Sequence, residues 1–499
     1  MELQFDKQPI SCLNQVKWEQ KNQELTQEIR LTEDLPDVGS VLGAWGQTIV
    51  RGKQWRKGNM EVTGGVMVFV LYAPEDGSAP RGVQTWLPFT VNWELPETKH
   101  DGTICVCCQL TGVDARSASA RKLIVRAGLG ILGEALVPEE RELTTLGEIP
   151  EDVQVLRRKY PVRLPTEAGE KAFTLEDTMN PPTAGGGISR ILRYGLVPEI
   201  LDEKVMEDKV VFRGIAQIHV LYLGTDDCLY PWDFEVPFSQ YTQLDQEHAL
   251  EAQARIVPAI TSLELEPEED GQVQLKAGLA CQYVIFDSRL LEVAEDGYSN
   301  TRKVSPCREP LELPVLLDWD TQPVAVEESL TAQGTRMADG EVYWEQPQIL
   351  CQEQEVSVCL RGTVQMLYYD LEGNLQWGSQ SWEWCRKLEA HPNAQLQAQV
   401  LPVGKVSGSI SGAGGTLRGE LSLTTTTRNS RGMSQVTGLE LGDPVRPDPN
   451  RPSLIVRKPG EADLWSLAKS CGSTMDAISQ ANGLEGEPDP DALLLIPVM

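Results

Sequence analysis

Four histidines, His100, His219, His248 and His391, are the only imidazoles in this 499-residue chain. None stands at metal-ligand spacing from another histidine or a cysteine. Cys105, Cys107 and Cys108 crowd one short stretch. Three thiols that close could take a soft metal ion, but such a cluster on a strand more often packs a core. Gly412, Gly414 and Gly415 could offer backbone amides to a phosphate, yet they precede a strand rather than open a helix, and no Walker-type lysine and hydroxyl follow in order. No Gly-x-Ser-x-Gly elbow stands in a strand-to-helix context, and the carboxylates are too numerous to single out a glycosidase pair. The expectation is a protein that is not an enzyme, with no resident metal or cofactor and with no catalytic residue to name. His219 is expected to face solvent or fill a slot.

The positions that do stand out are repeated ones. Gly214 opens the run Ile215, Ala216, Gln217, Ile218, His219, Val220, Leu221, Tyr222, followed by a polar turn and the alternation Trp232, Phe234, Val236, Phe238. Gly64 to Tyr72 with Trp86, Leu87, Pro88 and Phe89 follows the same grammar, as does Gly362 to Tyr369 with Trp382 and Trp384. Gly64 and Gly214 are 150 positions apart and Gly214 and Gly362 are 148 apart. A second marker keeps that beat: Val125-Arg126-Ala127-Gly128-Leu129 returns as Leu275-Lys276-Ala277-Gly278-Leu279 and more weakly as Leu417-Arg418-Gly419-Glu420-Leu421. A third joins Leu250-Glu251-Ala252-Gln253 to Leu396-Gln397-Ala398-Gln399. Markers in one order at one period indicate a triplicated module.

Alternating Val, Phe, Tyr and Trp broken by Gly and Pro turns predict strands, and strand-dense modules without long amphipathic helices predict sandwich-like packing. Strands are expected at 62–72, 86–93, 103–110 and 123–132, with a turn over 114–120. In the second copy they fall at 209–223, 231–241, 249–260 and 272–286, and in the third at 355–370, 375–386, 395–403 and 416–427. The opening of the first copy, from Gln8 to about Gly46, is polar and reads as partly helical or irregular. The lead of the second carries Pro181, Pro182 and Gly185 to Gly187 and reads as a surface loop, and Asn300 to Pro314 reads as a bridge. The expected limits are 1–150, 151–305 and 306–441 for the three β-rich repeats. A semi-rigid linker over 442–452 follows, with four prolines in eleven residues, and then a terminal unit over 453–499.

Hydrophobic content of 41% allows each unit a core, and a net charge of −29 disfavours nucleic acid, whose phosphates such a surface repels. Met1 to Lys7 shows no basic region leading into an apolar run, and no window approaches the roughly 20 apolar residues of a membrane span. Residence in a cytosol is expected. Eleven cysteines in no even spacing fit that compartment and suggest no disulfide framework.

The terminal unit changes character. Leu454 to Arg457 predicts a strand, Asp463 to Ser470 and Thr474 to Asn482 predict two helices capped by Asp463 and Thr474, and Leu493 to Ile496 predicts a closing strand. This βααβ order, with Gly460-Glu461 leading into Leu464-Trp465-Ser466-Leu467-Ala468, the spacing of Gly472 to Asn482, and Pro490 through Pro497, resembles a LysM domain. Glu461, Ala462 and Asp491 depart from its usual residues. The resemblance implies a shallow groove for N-acetylglucosamine polymers lined by Gly460, Glu461, Ala462 and Asp463 on one side and Asn482, Gly483 and Leu484 on the other. The acids Glu461 and Asp463 at its mouth make it less welcoming to plain glycan and a protein partner plausible. Trp465 is either a core residue of its helix or an exposed recognition aromatic.

Three such repeats followed by a LysM unit resemble the SPOCS-domain spore coat morphogenetic proteins of endospore formers, in the clostridial type with a C-terminal LysM domain. The resemblance implies a non-enzymatic scaffold or adaptor in spore coat assembly, made in the mother-cell cytoplasm and recruited to the forespore surface. Its implied partner is the stage IV sporulation coat morphogenetic ATPase, met through the LysM tail. The alternative is a cell-wall protein that binds peptidoglycan through the same tail.

Overall fold

The computed structural model describes residues 2–145, 147–268, 271–352, 355–389, 394–445 and 451–499, and the chain is mainly β with two short helices near its C-terminus. The first copy comprises β1 (Glu2–Gln4), β2 (Asp6–Arg30), β3 (Val38–Arg56), β4 (Asn59–Pro74), β5 (Arg81–Glu94), β6 (Thr103–Ser119) and β7 (Lys122–Thr145). The second comprises β8 (Val153–Met179), β9 (Ile188–Met206), β10 (Lys209–Gly224), β11 (Leu229–Gln243), β12 (Gln253–Pro267) and β13 (Val273–Ser299). The third comprises β14 (Arg302–Leu330), β15 (Arg336–Trp344), β16 (Gln348–Gln352), β17 (Glu355–Tyr369), β18 (Leu375–Leu388), β19 (Gln395–Ser411) and β20 (Gly414–Pro444). All the pairings among them are antiparallel, and each copy contributes two sheets of the same order. A meander runs β3-β4-β5, then β9-β10-β11, then β15 and β16 side by side on β17 followed by β18. A second sheet runs β2-β7-β6, then β8-β13-β12, then β14-β20-β19, with β1 added on β20. Val62, Val66 and Val68 of the first meander meet Leu25, Ile104, Leu123 and Val125 of its companion sheet in one core. The alternation of the sequence thus puts one face of each sheet inside.

The repeated glycine now has a reason. Gly64 lies opposite Phe89, Gly214 opposite Phe238 and Gly362 opposite Trp382 on the neighbouring strand. A Cβ at these three glycines would run into the Ile49, Glu199 and Tyr343 carbonyl oxygens respectively, as well as into the facing aromatic ring. The strand beyond is irregular each time, with register shifts at Val50/Gly52 and beside Gly214, and a break between β15 and β16 at the non-donating Pro347. The aromatic ring covers the bare backbone, so glycine and aromatic are one device written three times. Gly214→Ala is expected to lose about 1–3 kcal/mol through overpacking. Urea unfolding of the variant checks it; an unchanged midpoint would remove this account of the repeat.

The polar leads are strands, not helical or irregular segments. β2 pairs with β7 from Asp6↔Thr145 to Arg30↔Lys122, so the ladder satisfies its backbone while side chains such as Glu19, Gln23, Glu24 and Glu28 stay exposed. Pairing of this length overrides local propensity. The turn expected over 114–120 shrinks to Ala120 and Arg121, and the bridge expected from Asn300 to Pro314 is mostly β14. The loop of the second lead is found at 180–187, with a 3-10 turn at Ala184–Gly186. The limit set at 150/151 falls between β7 and β8, whereas 305/306 and 441/442 fall inside β14 and β20. Of the linker expected over 442–452, Gly442 to Pro444 complete β20, and residues 446–450 lie outside the described residues.

Beyond Leu136, Phe286 and Arg428, where β6, β12 and β19 begin, each companion sheet narrows to a two-stranded ribbon, which in the third copy is joined by the short β1 at Gly438–Glu440. The three ribbons share a core of Ile10 and Leu143 from the first, Val162, Leu164, Leu291 and Val293 from the second, and Leu311, Leu313, Val315 and Met433 from the third. The copies therefore meet about a common centre.

Buried amides seam the joins. Gln282 is 1% exposed; its Nε2 donates to the Val106 and Val257 carbonyls at 2.7 and 3.2 Å, and its Oε1 accepts from the Val106 N–H at 2.7 Å and Lys53 Nζ at 2.9 Å. Gln109 and Trp344 exchange two hydrogen bonds, and Gln435 bridges the Thr144 N–H and the Glu142 carbonyl. At the centre, Glu134 of β7 accepts from Arg255 of β12, from Arg428 of β20 at 3.4 Å and from Gln15 of β2 at 2.7 Å. The chain ends in β21 (Leu454–Arg457), α1 (Leu464–Cys471), α2 (Met475–Asn482) and β22 (Leu494–Pro497), with β21 and β22 paired antiparallel.

Candidate functional site

Asp463 accepts from the Ser466 N–H at 2.9 Å and Thr474 from the Ala477 N–H at 3.1 Å, so both helices of the terminal unit start on side-chain caps. Gly472 and Gly483 end them in the left-handed region, at φ 67° and 64°. Gly460 and Glu461 are exposed, Ala462 and Asp463 half-buried. Asn482 clamps α2 to β22 by donating to the Leu495 carbonyl at 2.6 Å and accepting from the Leu495 N–H at 2.8 Å; Gly483 is exposed and Leu484 packs on the small core. Each lip is fastened to the closing segment rather than to the other lip, Gly460 through its N–H to the Pro490 carbonyl and Asn482 to Leu495.

Trp465 is 6% exposed and packs edge-on against Tyr298 of β13, with ring centroids 4.8 Å apart. Its Nε1 donates to Asp296 at 2.9 Å, and Lys469 reaches the same carboxylate at 2.6 Å. Tyr298 and Asn300 donate to the Ser473 carbonyl at 2.8 and 3.0 Å, and Arg158 of β8 meets Asp463 at 3.3 Å. The terminal unit is thereby seated on the second ribbon, with Leu156 completing the shared core. Burial sets against the Asp296 carboxyl, but Lys469 and Trp465 outweigh it and hold it below the usual range, while burial pushes Tyr298 up to about 12.

A second concentration of chemistry lies where the copies meet, around a cavity of about 470 Å³. Arg193 of β9 pairs with Asp339 and Glu341 of β15 at 2.9 and 3.1 Å and lies over the Trp45 ring of β3 at 4.8 Å, touching all three copies. His219 of β10 is held between Asp233 of β11 at 2.6 Å and Asp339 at 2.9 Å. It is neither a solvent-facing residue nor a slot filler, as the sequence suggested, but a charged link between the second and third copies. That role was invisible because its partner lies 120 residues away. A similar buried group sits within the second copy, where His248 meets Glu167 at 3.1 Å and Asp287 at 3.0 Å.

Burial alone lowers both imidazoles, but the carboxylates overcome it and each rises to about 9. A folded value above the unfolded one of roughly 6.5 means stability that is whole below pH 6.5 and is lost as pH rises through 9. Urea midpoints are therefore expected to fall between pH 6.5 and 9.5, and to fall less in a His219→Gln variant. A midpoint independent of pH in that window would contradict both ion pairs.

The cysteines correct one expectation. Cys359 and Cys385 face each other across β17 and β18 and are disulfide-bonded, a pairing that register alone creates and spacing could not reveal. Cys105 is buried, its thiol pushed up to about 12 by burial, and burial pushes up Cys107 and Cys108 as well. Among the described residues no group of three or more His, Cys, Asp or Glu side chains could hold a metal ion, and no helix is long and apolar enough to cross a membrane.

A family model described as SipL, SPOCS domain, matches residues 187–265, which run from the residue before β9 to near the end of β12 in the second copy. The match supports a SPOCS-domain protein and is consistent with a role related to sporulation. No curated protein and no solved structure matches the chain.

Proposed function

We propose that this SPOCS-domain protein is a non-enzymatic scaffold or adaptor in endospore coat assembly, working in the mother-cell cytoplasm and at the forespore surface. Its LysM-like tail would dock on the coat morphogenetic ATPase. The SPOCS match at residues 187–265 carries this reading. Two features of the architecture support it. Three copies built on one strand order give three related surfaces on one body, so weak contacts made together act as one strong contact. The two cations held deepest at the central cavity are also committed to carboxylates. Both ring nitrogens of His219 are taken by Asp233 and Asp339, and Arg193 is taken by Asp339 and Glu341. Neither is then free to activate a substrate.

The competing reading is peptidoglycan binding through the exposed Gly460 and Glu461 lip. Affinity capture from sporulating cells with the full chain and with a chain lacking 453–499 separates them. Recovery of the coat ATPase by the full chain alone supports the scaffold. Pelleting of the full chain with insoluble peptidoglycan at physiological salt, without recovery of the ATPase, supports the wall reading instead.

A further inference from the structure

We propose that the cavity at the meeting of the three copies binds a small aliphatic amine, with the Glu341 carboxylate and the Tyr343 hydroxyl as its polar anchors. A cavity of about 470 Å³ lies within the range of small-molecule sites. Asp339, Glu341 and Tyr343 alternate along β15 and so share one face of that strand. Asp339 is fully buried and spent on Arg193 and His219. Glu341 differs: Arg193 takes one of its oxygens, and the side chain keeps 29% of its exposure. Tyr343 lines the same cavity, is 3% exposed, and its hydroxyl has no hydrogen-bond partner. A buried hydroxyl left without a partner asks for a donor or acceptor from something else.

The charge of the site decides which. With every group ionised, three cations, Arg193, His219 and Lys405, face five carboxylates, Asp233, Asp339, Glu341, Glu235 and Glu420. Burial pushes the Glu341 carboxyl up and Arg193 offsets only part of that, as a carboxylate short of positive charge should behave. An ammonium group brings three N–H donors and one positive charge, which suits one carboxylate oxygen and one phenolic oxygen. Phe69, Tyr194 and Phe234 supply the apolar and aromatic wall that an alkyl chain and a cation both favour.

Isothermal titration of the full chain with 1,4-diaminobutane tests this, with 1,4-butanediol as the uncharged isostere. One saturable site is expected for the diamine and none for the diol. Glu341→Gln should weaken binding about tenfold or more, and Tyr343→Phe by a smaller factor, in keeping with the loss of charge-assisted hydrogen bonds. Glu372→Gln, an exposed acid far along the chain in a turn, should leave it unchanged. Equal binding by the Glu341→Gln and Glu372→Gln variants would mean diffuse attraction to an acidic surface and would overturn the proposal. Binding of the diol as strongly as the diamine, or no saturable diamine binding, would overturn it too. Should Glu341→Gln not fold, Tyr343→Phe decides alone, because it removes an oxygen that has no protein partner.

Discussion

Replacing Glu134 with alanine is expected to lower the stability of the whole body by about 3–5 kcal/mol, the cost of stranding buried charge. Glu134 is 3% exposed and is the carboxylate partner of two arginines brought from the other two copies, Arg255 and Arg428, which are 5% and 8% exposed. Both arginines also lie near aromatic rings, Arg255 over Trp18 at 5.6 Å and Arg428 over Phe286 at 5.7 Å. Burial lowers Arg428 to about 10 against the pull of Glu134. Without Glu134, two guanidinium groups remain in a low-dielectric centre with no counter-charge and repel each other. A large fall in the urea midpoint is the expected result. Substituting Glu134, Arg255 and Arg428 together with apolar residues should restore much of it, since desolvation then disappears along with the attraction. A single Glu134→Ala variant as stable as the parent would show that the copies are not joined at this point.

Trp465→Ala should act on the terminal unit and leave the body alone. Removing a buried tryptophan costs about 3–5 kcal/mol. A 47-residue unit with one small core has a stability of roughly that size, so the substitution should unfold the unit as well as unseat it. Tyr298→Ala removes the same ring contact and the hydrogen bond to Ser473 from the body's side of the shared core, leaving every residue of the unit itself in place. Limited proteolysis therefore distinguishes two effects. Trp465→Ala should expose cleavage sites within 453–499, whereas Tyr298→Ala should leave the unit resistant and accelerate cutting only in the segment before it. Equal resistance of both variants to the parent would mean that the seat on the second ribbon contributes nothing.

The candidate site was legible in part. Asp463 and Thr474 announced two helix starts through residue type and spacing, because capping is decided within three residues of the cap. The setting of Trp465 was not legible, since its partners Tyr298 and Asp296 stand more than 160 positions earlier in the chain. The sequence left open whether that ring packs or recognises, and the fold commits it to Tyr298. The same distance hid the central cavity. Asp339, Glu341 and Tyr343 lie on β15, outside every strand expected from the sequence, and the charged role of His219 depends on a carboxylate from another copy.

What residue order settled by itself was local and periodic: a triplicated strand grammar, a repeated glycine followed by an aromatic-rich strand, and a change of style at the C-terminus. Those features follow from alternation, turn chemistry and capping, which act over a few residues. Only the tertiary structure decided that the polar leads pair as long strands, that Cys359 meets Cys385, and that Cys105, Arg255 and Gln397 occupy equivalent register positions about one centre. Such outcomes depend on which strand lies beside which, and register converts residues far apart in sequence into neighbours without leaving a mark on either segment.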